Sequence, residues 1–412
     1  MRTATATRTH PWRAARRGRR APARWASVLV ISGGLVAALA LPATPIAGSA
    51  RPEGAAAAAG PLAVYVSTSG IGHNDLADVA TLRAGLGWDP GDPNSINSDW
   101  TAALDTVWNQ VASEHPDAVF ATGDMVGGFW GVDPDHTGIF GPVDTLPHRA
   151  QAVVNAGMAY EGAVRDEFRS HGLAVYPGLG DHEIGGFSHS GLVGPDAFVA
   201  RAHWAWVAAW TRTFHHRPYY HVTLPGSVEL WTLAPFRVRA DGGLASAIGP
   251  GQLRWLARTL DDSTARWKIV QTEIPPYSSP GFHGWNTSET HLRNADEVYR
   301  TLAQGGVDLV LAAEFHAVDA LQKRGVPEII HGGALASGRV NYLTIDVYRS
   351  VLRITESWMA PGVVDRTTTL WGPSQTRRPP ERITMTPGAT VSGHMTVTHA
   401  GATFADGDLT LH

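Results

Sequence analysis

Four short polar clusters carry the residue types that could do chemistry in this sequence. They are Gly123-Asp124, Gly180-Asp181-His182-Glu183, Glu273 before two prolines, and Glu314-Phe315-His316. Each follows a short apolar run, where a carboxylate or imidazole is costly unless it is paired, solvated or bound to a metal. Taken one at a time, a helix cap, a turn or a surface ion pair explains each cluster. Their order and spacing together favour one shared site.

The elements that would position these clusters alternate along the chain. Apolar runs predict strands, and helical spacing of apolar residues between them predicts helices, which is typical of a sheet covered by helices. Strands are predicted at 62–66, 118–122, 173–177, 219–224, 228–233, 267–272, 308–311, 329–331, 342–347 and 351–356, and helices at 97–111, 149–170, 196–213, 253–260 and 289–304. Open α/β sheets bind ligands at the carboxyl ends of their strands, which is where the four clusters fall.

Composition excludes several classes of protein. The chain has 412 residues, of which 43% are hydrophobic and 17% charged, so its bulk is not intrinsically disordered. It contains no cysteine, which excludes a disulfide scaffold, a thiolate zinc site and a cysteine nucleophile. Residues 1–50 hold eight arginines and no acid, and the remaining 25 basic and 37 acidic residues give −12. Nucleic-acid binding through a general positive field is therefore not expected.

The first 50 residues are predicted to be a secretory signal peptide. A basic segment that ends at Arg24 is followed by an apolar run from Ala26 to Leu41 and then by small residues up to Ala50. An uncleaved membrane anchor is the alternative, and it is the only membrane contact expected. Residues 51–60 are predicted to be a flexible tether. The mature protein is therefore expected to be secreted or otherwise extracytoplasmic.

Five motifs resemble those of the calcineurin-like metallophosphoesterase superfamily across about residues 61–358. They are ATGDMVGG, GLGDHE, the run Gln252–Leu256 before a strand, EIPPYS and AEFH. The resemblance implies an α/β fold, a four-layer α/β/β/α sandwich, over a domain at residues 61–362. Residues 363–412 are then a linker and a short β tail. The resemblance also implies hydrolysis of phosphate mono- or diesters at a two-metal centre.

The resemblance assigns roles to individual residues, and several depart from the family pattern. Asp124 matches the bridging ligand, His182 the general acid and His316 the last histidine ligand. Acids replace the other ligands: Asp181 stands for an asparagine, and Glu273 and Glu314 stand for histidines.

The first motif departs furthest from the family pattern. It appears as the sequence VSTSG at residues 66–70, without a carboxylate. His73 and Asp75 lie nearby and could compensate, although a turn or cap role also explains them.

This ligand set predicts a particular metal preference and charge. An all-oxygen cage favours hard divalent cations such as Mn²⁺, Mg²⁺ or Ca²⁺, and Fe or Zn also remains open. Four carboxylates would be neutralised by two divalent cations, whereas one cation would leave −2. A phosphate dianion would then bind less tightly than at the usual family site, which carries fewer carboxylates.

Two functions follow from the residues and remain open at this stage. The first is a secreted metal-dependent phosphoesterase acting on a small phosphate ester. The alternative is a non-catalytic member of the same fold that acts as a binding or structural protein. A basic patch facing the substrate would favour the first, and a closed, acidic, water-poor site would favour the second.

Overall fold

The computed structural model describes residues 60–70, 98–126, 140–184, 196–238, 244–277, 291–315, 318–333, 340–364 and 383–398. The predicted leader, nearly all of the tether, His73, Asp75 and His316 lie outside the described residues. Among the described residues, no helix is long and apolar enough to cross a membrane.

Helices and strands alternate through most of the described chain. The helices are α1 (Ser98–Ser113), α2 (Leu146–Ser170), α3 (Asp196–Phe214), α4 (Pro250–Asp262) and α5 (Ala295–Gln304). The strands are β1 (Ala63–Thr68), β2 (Ala118–Ala121), β3 (Val175–Pro177), β4 (Tyr220–Leu224), β5 (Val228–Thr232), β6 (Phe236–Val238), β7 (Leu244–Ser246), β8 (Trp267–Gln271), β9 (Leu309–Ala312), β10 (Asp319–Lys323), β11 (Val326–Ile330), β12 (Val340–Val347), β13 (Val351–Val364) and β14 (Ile383–Thr398).

Most of these strands form two six-stranded sheets. The first has the order β14-β13-β12-β1-β2-β3, and the second has the order β10-β11-β9-β8-β5-β4. In the first sheet β1, β2 and β3 run parallel, and in the second sheet β5, β8, β9 and β11 run parallel. Parallel strands end at the same edge of a sheet, so the polar segments after β2 and β3, and those after β8 and β9, are gathered at two strand-end edges.

The two sheets pack against each other through one shared apolar core. Tyr65 and Phe120 of the first sheet stack with their ring centroids 4.8 Å apart, and the same core includes Trp267 and Leu309 of the second sheet. Helices α1, α2 and α3 share a second core with the first sheet. Helices α4 and α5 share a third core with the second sheet. The polar segments after β2, β3, β8 and β9 are therefore anchored on strands that are packed on both faces.

Local sequence explains where the helices begin. Thr145 caps α2 by accepting a hydrogen bond from the backbone N–H of His148 at 3.3 Å, and Pro147 occupies the first turn, where a missing N–H costs nothing. In α4 the spacing of Leu253, Leu256 and Leu260 places one buried apolar stripe against the second sheet.

The mixed α/β fold predicted from the sequence is confirmed, with differences at several elements. Strands β6, β7 and β10 were not predicted, because they are three to five residues long and β10 lacks an apolar run. The helix expected from residue 289 begins at Ala295, since the Asn294 side chain is hydrogen-bonded to the backbone of Ile248. Strand β13 runs past the proposed domain boundary at 362, and β14 in the predicted tail pairs along it.

Candidate metal centre

The carboxyl ends of four parallel strands bring four predicted ligands together. Asp124 follows β2, Asp181 lies beyond β3, Glu273 follows β8 and Glu314 follows β9. One carboxylate oxygen from each lies within 4.8 Å of the others. The two sheets each contribute two of these acids, so the group exists only because the sheets pack face to face. His316, the fifth predicted ligand, lies outside the described residues.

His182 lies beside the same acids. It begins the short 3₁₀ turn His182–Ile184, and its side chain is 10% exposed. Its Nε2 is 3.9 Å from Oδ1 of Asp181. His182, Asp124 and Asp181 also form a second set of possible ligand atoms within 4.8 Å of one another. The predicted general acid is therefore close enough to act on a group bound at the four carboxylates, or to serve as a ligand itself.

The backbone around the centre is strained and tightly packed. Asp124 and Glu314 adopt φ values of 56° and 67°, a left-handed conformation that costs on the order of 1–3 kcal/mol for such residues. A Cβ atom at Gly180 would lie 2.3 Å from Oδ1 of Asp124, and one at Gly123 would lie 2.7 Å from Cγ of Glu273. Glycine is therefore required at both positions for the acids to approach one another.

Glu183 holds the two turns of the first sheet together. Its fully buried carboxylate accepts hydrogen bonds from the backbone N–H groups of Gly180 (2.7 Å), Asp124 (2.9 Å), Met125 (2.7 Å) and Val126 (3.3 Å). The turn that carries Asp124 is thereby fixed to the turn that carries Asp181 and His182. This role was not predicted from the sequence, although Glu183 stands in the same polar cluster as His182.

Burial and mutual repulsion disfavour ionisation of the acids at the centre. Burial raises the pKa of Asp124 to about 7, with Asp181 adding to the rise and His182 opposing it. Burial, together with Asp181 and Asp124, raises the pKa of Glu314 to about 8. The pKa of Glu273 lies well above its ordinary value, again through burial first and then through Glu314 and Asp124. Without a cation, these groups must share protons at neutral pH.

The centre fits a hard divalent cation. Glu273 is 0% exposed, and within the described part of the chain neither of its carboxylate oxygens accepts a hydrogen bond. A buried carboxylate without a donor needs a proton or a cation. The donor set contributed by the four acids is all oxygen, which Ca²⁺, Mg²⁺ and Mn²⁺ prefer. Asp124, Asp181, Glu273 and Glu314 would hold such an ion.

Comparison with known families decides the classification. The sequence model of the calcineurin-like phosphoesterase family matches residues 90–317. This chain belongs to the calcineurin-like phosphoesterase family. The matched segment contains all four acids of the centre and His182, so the family assignment and the site geometry concern the same part of the molecule.

Solved structures with similar folds include several phosphoesterases. A dimetal phosphatase from Danio rerio is 12% identical, with a TM-score of 0.44, and the match covers 82% of this chain and all of that one. The structure of PhoD is 13% identical at TM-score 0.47, covering 84% of this chain and 73% of that one. The calcineurin-like phosphoesterase YfkN from Bacillus subtilis is 10% identical at TM-score 0.34, covering 84% and 93%. None of the curated proteins matches the sequence.

The end of β1 departs from the family pattern, as its sequence predicts. It presents hydroxyl groups rather than a carboxylate, and Ser69 Oγ donates to the carbonyl oxygen of Gly123 at 3.1 Å. Ser67 and Thr68 are buried, and their hydroxyls have no hydrogen-bond partner among the described residues. The described part of this strand end thus adds no charged ligand to the centre.

His331 is a buried histidine that the sequence analysis did not single out as a site residue. It follows β11, is 0% exposed, and its Nδ1 lies 2.9 Å from the carbonyl oxygen of Ala312. Burial lowers its pKa to about 4, so the ring is neutral at physiological pH. No spacing signal in the sequence separates His331 from a core residue at the end of a strand.

Proposed function

We propose that this protein is an exported metal-dependent phosphoesterase that hydrolyses phosphate mono- or diesters at the carboxylate-rich centre. The observation that carries the proposal is the convergence of Asp124, Asp181, Glu273 and Glu314 within 4.8 Å, with Glu273 buried and without a hydrogen-bond donor among the described residues. Membership of the calcineurin-like phosphoesterase family supports hydrolysis of a phosphate ester.

The four acids would hold Mn²⁺, Mg²⁺ or Ca²⁺. A bound divalent cation supplies Lewis-acid polarisation of the phosphoryl group and neutralises its charge. The protein contributes a fixed frame, because Glu183 ties the turns of Asp124 and Asp181 together through backbone N–H groups. The ligands on the first sheet therefore need not reorganise when the cation or the substrate binds.

His182 is assigned the role of general acid. A water oxygen forms the new bond to phosphorus and releases one proton to the solvent. The bond from phosphorus to the leaving-group oxygen breaks with its electron pair on that oxygen, and His182 gives its proton to it. Its position beside Asp124 and Asp181 supports this assignment. General acid catalysis of this kind contributes typically 10²- to 10⁴-fold.

The charge of the centre favours phosphodiesters over phosphomonoesters. Four ionised carboxylates around one divalent cation carry −2, and a unit-charge interaction at about 4 Å is worth on the order of 4 kcal/mol at an effective dielectric near 20. A diester carries one negative charge at neutral pH and a monoester nearly two, so the repulsion is smaller for the diester. We therefore assign diesters as the preferred substrates.

Export is proposed from the amino-terminal sequence alone. Eight arginines without an acid, followed by an apolar run and small residues, predict cleavage near Arg51. Intact-mass measurement on protein from the culture medium should find a chain beginning there. Recovery of only the full-length chain, and only in detergent, would overturn this part of the proposal.

A non-catalytic, cation-holding protein is the second candidate. Two observations favour it. The end of β1 lacks a carboxylate, and the centre is nearly closed, because only 8% of the whole-residue surface of Asp181 and of His182 is exposed. Such a protein would use the cation to stabilise the junction of the two sheets and would bind a partner elsewhere.

Hydrolysis of an aryl phosphodiester and of the matching aryl phosphomonoester, measured after chelation and after adding Mn²⁺, Mg²⁺ or Ca²⁺, tests the proposal. We expect cation-dependent release of the aryl alcohol, faster for the diester, and its loss in Glu273→Gln/Glu314→Gln. The substitution Glu297→Gln, at an exposed glutamate on α5, should leave the rate unchanged. Cation binding without hydrolysis of either ester would favour the non-catalytic candidate.

A further inference from the structure

A second group of metal-ligating side chains lies between helices α1 and α2. Asp105 belongs to α1, Glu167 to the last turn of α2, and His171 caps the end of α2. One potential ligand atom from each lies within 4.8 Å of the others. Glu167 and His171 are four residues apart and therefore project from the same helix face. None of the three belongs to the strand-end centre.

The hydrogen bonds of His171 fix which ring nitrogen carries the proton. Its Nδ1 lies 3.0 Å from the backbone carbonyl oxygen of Glu167, and a carbonyl oxygen can only accept. Ser170 Oγ, 3.1 Å from Nδ1, donates its own proton to the same carbonyl at 2.8 Å. The neutral ring is therefore protonated at Nδ1, which leaves a lone pair on Nε2. Metal-ligating histidines are held in this way.

The Nε2 lone pair faces one carboxylate oxygen, and the Glu167 carboxylate lies nearer the other ring nitrogen, with Oε1 3.9 Å from Nδ1. Nε2 lies 3.5 Å from Oδ1 of Asp105, and the His171 side chain is only 10% exposed. Oε1 of Glu167 is also buried and, among the described residues, accepts no hydrogen bond. Three acceptors that converge in this way need a cation between them, or an added proton on the ring or shared by the two carboxyl groups.

The distance from Nε2 of His171 to Oδ1 of Asp105 matches that between two ligands of one tetrahedral ion. Two atoms about 2.0–2.1 Å from a zinc ion at the tetrahedral angle are about 3.4 Å apart, against 3.5 Å here between Nε2 and Oδ1. The Asp105 side chain is 51% exposed, so water can reach the remaining coordination position.

We propose that Asp105, Glu167 and His171 form a second, structural metal site that binds a borderline divalent cation of the Zn²⁺ class. An imidazole nitrogen with two carboxylates favours such an ion over the hard cations expected at the all-oxygen centre. The bound ion would link α1 to the end of α2 in a chain that has no cysteine to cross-link. This inference does not depend on the proposed hydrolysis.

Zinc titration of the full chain tests the proposal, with Glu273→Gln/Glu314→Gln/His182→Gln as background, because His182 with Asp124 and Asp181 could otherwise hold the ion at the strand-end centre. We expect this background to bind Zn²⁺, and His171→Gln in it to weaken the binding at least tenfold. Asp105→Asn, at a half-exposed position that should fold normally, should weaken Zn²⁺ binding in the same direction. Co²⁺ used as a probe should give the intense visible absorption of a tetrahedral ion, and His171→Gln should abolish it.

His148→Gln is the matched control. His148 also pairs with a carboxylate four residues away, its Nδ1 lying 2.6 Å from Oδ1 of Asp144, but within the described residues that pair has no third ligand. It should bind Zn²⁺ as the background does. Equal Zn²⁺ binding by the His171→Gln and His148→Gln proteins would overturn the proposal. So would a His171 ring resonance that titrates with pH and does not respond to Zn²⁺, because the second proton would then explain the cluster.

Discussion

Glu183 and Glu273 are both fully buried carboxylates at the strand-end centre, and both lie near Asp124, but they differ in their hydrogen-bond donors. Glu183 accepts hydrogen bonds from four backbone N–H groups of the first sheet's turns. Glu273, at the end of a strand in the second sheet, accepts none from the described residues and faces Glu314. Glu183 is therefore held by the protein's own donors, whereas Glu273 needs a proton or a cation.

This difference separates a carboxylate that holds the backbone in place, Glu183, from a carboxylate that needs a ligand, Glu273. Hydrogen bonds from several backbone N–H groups stabilise a buried carboxylate in place, so the position of Glu183 does not depend on a cation. A carboxylate without donors that lies beside a second acid is stable only with a proton or a cation. The first sheet contributes a rigid frame together with the ligands Asp124 and Asp181, and the second sheet contributes the ligands Glu273 and Glu314.

The largest expected effect comes from removing the frame. Glu183→Ala leaves four backbone N–H groups buried without an acceptor, each worth about 1–3 kcal/mol. We expect the free energy of unfolding to fall by about 3 kcal/mol or more, with or without cation, as measured by urea denaturation. Arg258→Ala, at an exposed position of α4, should change it by less than about 0.5 kcal/mol. A similarly small fall in the unfolding free energy of Glu183→Ala would show that Glu183 does not hold the two turns together.

His182 tests whether the frame also positions a catalytic group. On an aryl phosphodiester, His182→Ala should lower kcat by roughly 10²-fold with little change in Tm, because it removes a proton donor while the hydrogen bonds of Glu183 that hold the turn remain. His148→Ala, at a half-exposed histidine, serves as the control. An unchanged kcat, or a large fall in Tm, would make His182 a structural residue instead.

Glu328 extends the comparison to a buried carboxyl outside the centre. The Tyr299 hydroxyl donates to it, and the Tyr277 N–H does so at 3.5 Å. Burial raises its pKa to about 8, against 4.5 when exposed, so the folded state holds a proton that the unfolded state releases. Its contribution to stability is therefore lost as pH rises from about 4.5 through 8.

Glu328→Gln should reduce this pH dependence. Between pH 6 and pH 8 the variant should lose about 1–2 kcal/mol less unfolding free energy than the wild type, by urea denaturation at each pH. Glu297→Gln should follow the wild-type curve, because that side chain is exposed. If the two variants show the same pH dependence, Glu328 is ionised in the folded protein and the assigned pKa is wrong.

The sequence predicted the α/β class and most strands of the two parallel regions, because those strands are continuous apolar runs. Asp124, Asp181, Glu273 and Glu314 could be found because each directly follows such a run or its turn. Strand β14 was expected only as a short tail, although it extends over Ile383–Thr398 and pairs along β13. Its mixed polar and apolar sequence carries no strong strand pattern.

The distinction between neighbouring acids could not be predicted from the sequence. Asp181 and Glu183 stand two residues apart in one cluster, yet one faces the other acids and the other accepts backbone hydrogen bonds. The group formed by Asp105, Glu167 and His171 depends on the packing of α1 against α2. Asp105 and Glu167 are 62 positions apart in the sequence. Tertiary contacts of this kind leave no spacing signal in the chain.

Thermal unfolding of the wild type and of Glu273→Gln/Glu314→Gln, first with chelator and then with millimolar Mn²⁺, Mg²⁺ or Ca²⁺, tests the central claim most directly. A cation that binds only the folded wild type should stabilise it by about 2.7 kcal/mol at 100 times its Kd. The double variant should be more stable than the wild type in chelator and should respond little to the cation, whereas Glu297→Gln should behave as the wild type. If no cation shifts the wild-type transition and the double variant melts identically, the four carboxylates do not form a metal site.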